Sequence, residues 1–172
     1  SAHWNIPMRT WLHGQVNEES LQEAFQLMAR RQAVLRTKFN ILEDGNFCQR
    51  IDAKIPDDFF ESIQSENHQE AIELAQKASN RPMDVSHGVI RVTLIRVDPN
   101  TSLLVLVVHH AISDGWSLGI LVRELWEFYN GLCEEKAPEE LSLPHLPLQF
   151  VDYSYWQQEL QKHHHYDNKL EY

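Results

Sequence analysis

Six consecutive apolar residues, Leu103, Leu104, Val105, Leu106, Val107 and Val108, constrain this chain more than any other feature. A strand that is apolar at every position has no side to turn toward water, so it must lie in a sheet covered on both faces. The run is also far too short to cross a bilayer. A second strand-like segment, residues 90–97, precedes it, and Asp98-Pro99-Asn100 between the two is a turn signal. The apolar run stops at His109 and His110.

The remaining segments supply partners and cover for that strand. Residues 8–14 read as a short strand ending at Gly14. Asn17 is placed to cap a helix running to about residue 34, with Glu18 and Glu19 near its positive end and Leu21, Ala24, Phe25 and Met28 on one face. Residues 36–42 and 47–51 flank Glu43-Asp44-Gly45-Asn46, a hairpin in which Gly45 takes positive φ. A polar stretch follows, then a weaker amphipathic helix over residues 69–78. Leu118, Leu121, Val122, Leu125 and Phe128 predict a helix over residues 117–132. A proline-containing break spans 138–147, and a last helix over about 149–162 carries Phe150, Tyr153 and Trp156. Together these predict an α/β sandwich with a mixed or antiparallel sheet.

The chain of 172 residues is 42% hydrophobic, enough for the core of about one domain. Its formal charge of -10 leaves no basic surface for phosphates, so neither nucleic acid nor an anionic membrane is an expected partner. Cys48 and Cys133 lie far apart without metal or redox spacing and read as two reduced thiols. Residues 1–10 show neither a basic start with an apolar stretch nor a cleavage site, so a cytoplasmic location is expected.

The chemistry sits in His109-His110-Ala111-Ile112-Ser113-Asp114-Gly115-Trp116-Ser117. Loops leaving a buried strand can hold a reactive group rigidly yet expose it, and imidazole accepts a proton near neutral pH. Successive strand residues face opposite ways, so one histidine is expected to be functional and the other structural. Taken by themselves these residues also fit a packed or surface pair, with Asp114 as an ordinary helix cap. A zinc site lacks a third ligand at suitable spacing, and no metal is expected. His163, His164 and His165 read as a solvated helix end. Phe150, Tyr153 and Trp156 read as packing residues, and Trp116 as either a tunnel-lining or a core residue.

The run His109-His110-x-x-x-Asp114-Gly115 resembles the signature of nonribosomal peptide synthetase condensation domains, of the chloramphenicol acetyltransferase-like superfamily. Three further segments resemble that family in order. They are Arg31-Gln32-Ala33-Val34-Leu35-Arg36-Thr37-Lys38-Phe39, Arg81-Pro82-Met83-Asp84-Val85 and Phe150-Val151-Asp152-Tyr153-Ser154-Tyr155-Trp156-Gln157. Two departures are Gln32, where the family usually has His, and His87-Gly88-Val89 in place of Gly-Pro-Leu. The opening Gln-x-Arg-x-Trp segment and the second half of the domain are not found in this chain.

The resemblance implies half of a chloramphenicol acetyltransferase-like two-layer α/β sandwich, with a mixed, largely antiparallel sheet packed against helices. Residues 1–172 would be the N-terminal subdomain, partnered by a C-terminal subdomain and by peptidyl or acyl carrier proteins. It implies amide formation between a donor acyl thioester and an acceptor aminoacyl amine. Substrates would arrive on phosphopantetheine arms, and no cofactor would be tightly bound. His110 would contact the acceptor amine as base or positioner, and His109 would support it. Asp114 would pair with Arg31 or Arg36 to hold the loop, and Gly115 would offer an N–H to the oxyanion or simply make the turn. An already activated thioester needs no protein nucleophile, and no Gly-x-Ser-x-Gly elbow is expected. Alternatives are a CoA-dependent small-molecule acyltransferase of the same superfamily and a non-catalytic docking or structural subdomain. Apolar surface left uncovered by a missing half would favour a homodimer.

Overall fold

The computed structural model describes residues 4–112 and 115–136. The expected helix over 149–162, the proline-containing break, the triple histidine and Asp114 lie outside the described residues. In order, the elements are β1 (Asn5–His13), α1 (Glu18–Arg31), β2 (Thr37–Ile41), β3 (Phe47–Ile51), β4 (Phe60–Gln64), α2 (His68–Asn80), β5 (Ile90–Asp98), β6 (Thr101–His109) and α3 (Gly115–Cys133). Short 3-10 turns cover Ala33–Arg36, Asp57–Phe59 and His110–Ile112.

β6 is the inner strand that its composition demands. The main sheet has the order β1-β6-β5-β4; β6 is antiparallel to both neighbours, and β4 runs parallel to β5. All six apolar residues of β6 are at most 4% exposed. Leu104, Leu106 and Val108 pack into the core shared with α1 and α3, whereas Leu103, Val105 and Val107 pack with Ala71, Ala75 and Ala78 of α2. Each such side chain withdrawn from water contributes about 1.5–3 kcal/mol, so the sheet is held from both faces.

The caps explain where the helices begin. Asn17 accepts from the Ser20 N–H at 3.0 Å, opening α1 as its sequence indicates. Asn67 does the same for α2 from Glu70 N–H at 2.9 Å, and the Glu70 carboxylate reaches back to Glu66 N–H. α1 stops at Arg31, three residues short of the expected end. Arg36 Nε donates to Ala29 O at 2.7 Å and its Nη1 to Asp52 O, so the orphaned end of α1 is capped by a side chain from the following 3-10 turn.

β2 and β3 form a separate hairpin turned by Asp44 and Gly45, the latter at φ +83°. β4 was not anticipated: Glu61, Ser62 and Gln64 make its sequence look like a polar loop. It lies at the end of the four-strand order, and its polar side chains bond to neighbouring elements. Glu61 accepts from Thr93 Oγ1 and Arg81 Nη2, both at 3.0 Å, and Ser62 donates to Glu18 at 2.6 Å. No helix among the described residues is long and apolar enough to cross a membrane.

Phe25 is fully buried between the sheet and its helices, whereas Phe47 on β3 is 79% exposed. Replacing Phe25 with Ala is expected to destabilise the chain by about 3–5 kcal/mol. Phe47→Ala should stay within about 0.5 kcal/mol of the wild type. Urea denaturation of the two variants checks the contrast.

Candidate functional site

β6 delivers the histidine pair to the end of the sheet. His109, its last residue, pairs with Asn5 of β1, and its backbone N–H donates to Val89 O at 2.9 Å. Its ring Nδ1 accepts from the Ala111 N–H at 3.1 Å, an arrangement that puts the ring proton on Nε2. Burial first, and then the neighbouring His110, holds this imidazole below the ordinary 6.5. The neutral ring that can accept from Ala111 is therefore the form the fold favours.

His110 begins the 3-10 turn and is exposed. Trp4, beside the start of β1, meets it edge-on, with ring centroids 6.0 Å apart and planes at 68°. Two residues further on, Ile112 is 2% exposed and packs into the core with α1 and α3. The segment bearing His110 is thus pinned on one side by a hydrogen-bonded strand end and on the other by a buried isoleucine.

Gly115 opens α3. The letters Gly115-Trp116-Ser117-Leu118-Gly119 match the pattern of a nucleophile elbow. That device needs its serine on the strained turn between strand and helix, and here all five residues belong to α3. A helical serine at this spacing is not an elbow.

The two arginines expected near Asp114 have different surroundings. Arg36 is held by the carbonyls of Ala29 and Asp52. Arg31 Nε donates to Glu124 Oε1 at 2.8 Å, and Gln32 Nε2 lies 3.2 and 3.1 Å from the two oxygens of the same carboxylate. Glu124 is 6% exposed on the inner face of α3. Sequence reading missed it, although an acid three residues after Leu121 and four before Phe128 stands out on an otherwise apolar face.

Two of the clefts formed by the described residues lie against the sheet, and neither of these has His110 among its walls. One, of about 360 Å³, is lined by Asp58, Glu61, Arg81, Asp84, His87 and Arg91 among others. Within it His87 Nε2 lies 2.8 Å from Asp58 Oδ1, and Arg81 pairs with Glu61 at 3.0 Å. The other, of about 340 Å³, is apolar and lies between β1, β6 and α3, with Met8, Leu106, Val122 and Trp126 in its wall. Among the described residues no cluster of three or more His, Cys, Asp or Glu side chains is placed to hold a metal.

Comparison with known proteins matches the chain to one family. The profile of the Condensation domain matches residues 1–172. A linear gramicidin synthase polypeptide of Brevibacillus parabrevis is 36% identical over 167 residues, 92% of this chain but 3% of that polypeptide. The bassianolide nonribosomal cyclodepsipeptide synthetase of Beauveria bassiana is 31% identical over 173 residues, 99% of this chain and 5% of the synthetase. Among solved structures, the X-domain complexed with OxyB from teicoplanin biosynthesis superposes with a TM-score of 0.83 at 22% identity, over 92% of this chain and 34% of that one. The starter condensation domain of the rhizomide synthetase RzmA gives 0.79 at 19% identity, over 94% and 39%. These superpositions establish the chloramphenicol acetyltransferase-like fold, and the chain spans little more than a third of the solved chains it resembles. With that fold and with the family profile matched over residues 1–172, this chain belongs to the condensation-domain family.

Proposed function

We propose that this chain supplies the histidine-bearing half of a centre that joins a donor acyl thioester to the amine of an acceptor aminoacyl thioester. Both substrates would be carried on phosphopantetheine arms of carrier proteins. The observation that carries this reading is His110 itself, an exposed imidazole held at the end of a strand buried on both faces. A group that must meet a substrate needs both properties, rigid support and an open face.

In the proposed reaction the acceptor nitrogen attacks the thioester carbonyl carbon. The C–N bond forms as the C–S bond breaks, the donor arm leaves as a thiol, and the attacking nitrogen gives up one proton. His110 touches that amine, either taking its proton or orienting it. His109, bonded to Ala111 and Val89, supports the turn. Gly115 is assigned to the oxyanion because the first N–H groups of a helix lack internal partners and sit at its positive end. Asp114 is assigned to hold the loop through one of the two arginines, Arg31 or Arg36. Residues 1–172 are read as the N-terminal subdomain, with a C-terminal subdomain as the opposite wall.

The assay supplies acyl and aminoacyl carrier proteins to the chain together with a C-terminal half and follows condensed product by intact mass. Wild type should form product, and a folded His110→Ala variant should lose about a hundredfold or more of the rate. The chain without its second half should give none. Equal product from wild type and His110→Ala would overturn the role of His110. Turnover of a CoA thioester with carrier-bound acceptors ignored would replace this reading with a small-molecule acyltransferase.

His109 gives a pH prediction. Its folded-state pKa lies below the ordinary 6.5, so the neutral ring is favoured. The stability it contributes is complete above about 6.5 and is lost as pH falls through the depressed folded value. In an NMR titration its ring proton should move at a midpoint below that of an unstructured histidine. A midpoint at or above the ordinary value would contradict the bond to Ala111.

A further inference from the structure

We infer that Glu124 is a positioning residue for the reaction proposed above, fixing α3 against α1 and thereby setting the height of the turn that carries His110. The inference rests on that functional reading. Glu124 sits on the inner face of α3 and is 6% exposed. It receives Arg31 Nε at 2.8 Å, while the Gln32 amide is within hydrogen-bond distance of both its oxygens. Both donors come from the C-terminal end of α1, so one carboxylate locks the relative slide of the two helices. A buried pair of this kind contributes little net stability, so the role we assign to it is to specify one arrangement.

The link to His110 is short. The segment leaving His110 buries Ile112 in the same core as Leu118, Leu121 and Leu125 of α3 and Phe25 and Met28 of α1. Sliding α3 along α1 would carry Ile112 with it, and His110 lies two residues before that anchor. Displacement of a reacting group by about 1 Å can cost on the order of a hundredfold in rate. Glu124 therefore acts through the turn and does not touch substrate. Gln32 is part of the same device: its amide N–H lies within reach of both Glu124 oxygens, and an imidazole N–H placed there could serve the same carboxylate.

The test uses the complemented domain with both carrier-bound substrates and separates kcat from KM. Glu124→Gln keeps the shape but removes the charge; kcat should fall about tenfold or more, with KM for both carriers unchanged. Gln32→Leu should lower kcat in the same way, and Gln32→His should restore it. Melting temperatures show whether each variant remains folded. Should Glu124→Gln fail to fold, Gln32→Leu and Gln32→His decide the matter, because the Arg31 pair is intact in both. Wild-type kcat in the folded Glu124→Gln variant, or in Gln32→Leu, would overturn the inference, as would a loss confined to KM. His110→Ala run alongside separates the two readings. If it is inactive while Glu124→Gln is unimpaired, only the positioning role falls. If His110→Ala is fully active, the functional reading falls and takes the positioning role with it.

Discussion

Everything in this fold is arranged around a strand that cannot tolerate water on either side. β6 alternates its side chains between α2 and the α1/α3 layer with no polar residue from Leu103 to Val108. Its backbone groups must then be paired by neighbouring strands along the whole run, since an unpaired buried amide is costly. β1 and β5 do this with registers that both reach the end of the strand: Asn5 opposite His109, and Ile90 opposite Val108. Where β5 begins, Val89 O still receives the His109 N–H. The inner strand is therefore defined to its last residue, and His109 inherits that rigidity before the chain turns.

The charged groups make a second kind of constraint. Glu18 accepts from both Arg96 and Ser62, tying the start of α1 to β5 and β4. The hydrogen bond from Ser62 is the main reason its carboxyl is held below the usual carboxylate range, and Arg96 adds to the effect. Glu124 holds the other end of the same helix to α3. α1 is thus pinned by an acid near each end, one half-exposed and one buried, with an apolar face of Leu21, Ala24, Phe25 and Met28 between them. Hydrophobic burial alone would let such a helix slide along its neighbours. Directional bonds at both ends remove that freedom.

These two kinds of constraint differ in how plainly a sequence displays them. Double burial is written in one continuous run, so β6 and the covering of both its faces were legible, as were the Asn17 cap and the Gly45 turn. β4 is not, because a strand whose polar side chains bond to neighbouring elements has the composition of a loop. The end of α1 falls three residues before the point its sequence indicates because its terminator, the Arg36 guanidinium on Ala29 O, acts across seven residues of chain. Glu124 escaped notice for a related reason. A lone acid on an apolar helix face acquires meaning only when Arg31 and Gln32, more than ninety residues earlier, are brought beside it.

The same contrast bears on the chemistry. His109 and Ile112 fix the turn from inside, yet His110 faces solution, and Trp4 beside it is 57% exposed. Amide formation from a thioester needs the attacking amine uncharged and competing water kept away, and an open imidazole on one wall provides neither. Preorganised donors also gain most of their strength in a water-poor site. Under the proposed reading, then, this half contributes precision and a second wall contributes dryness.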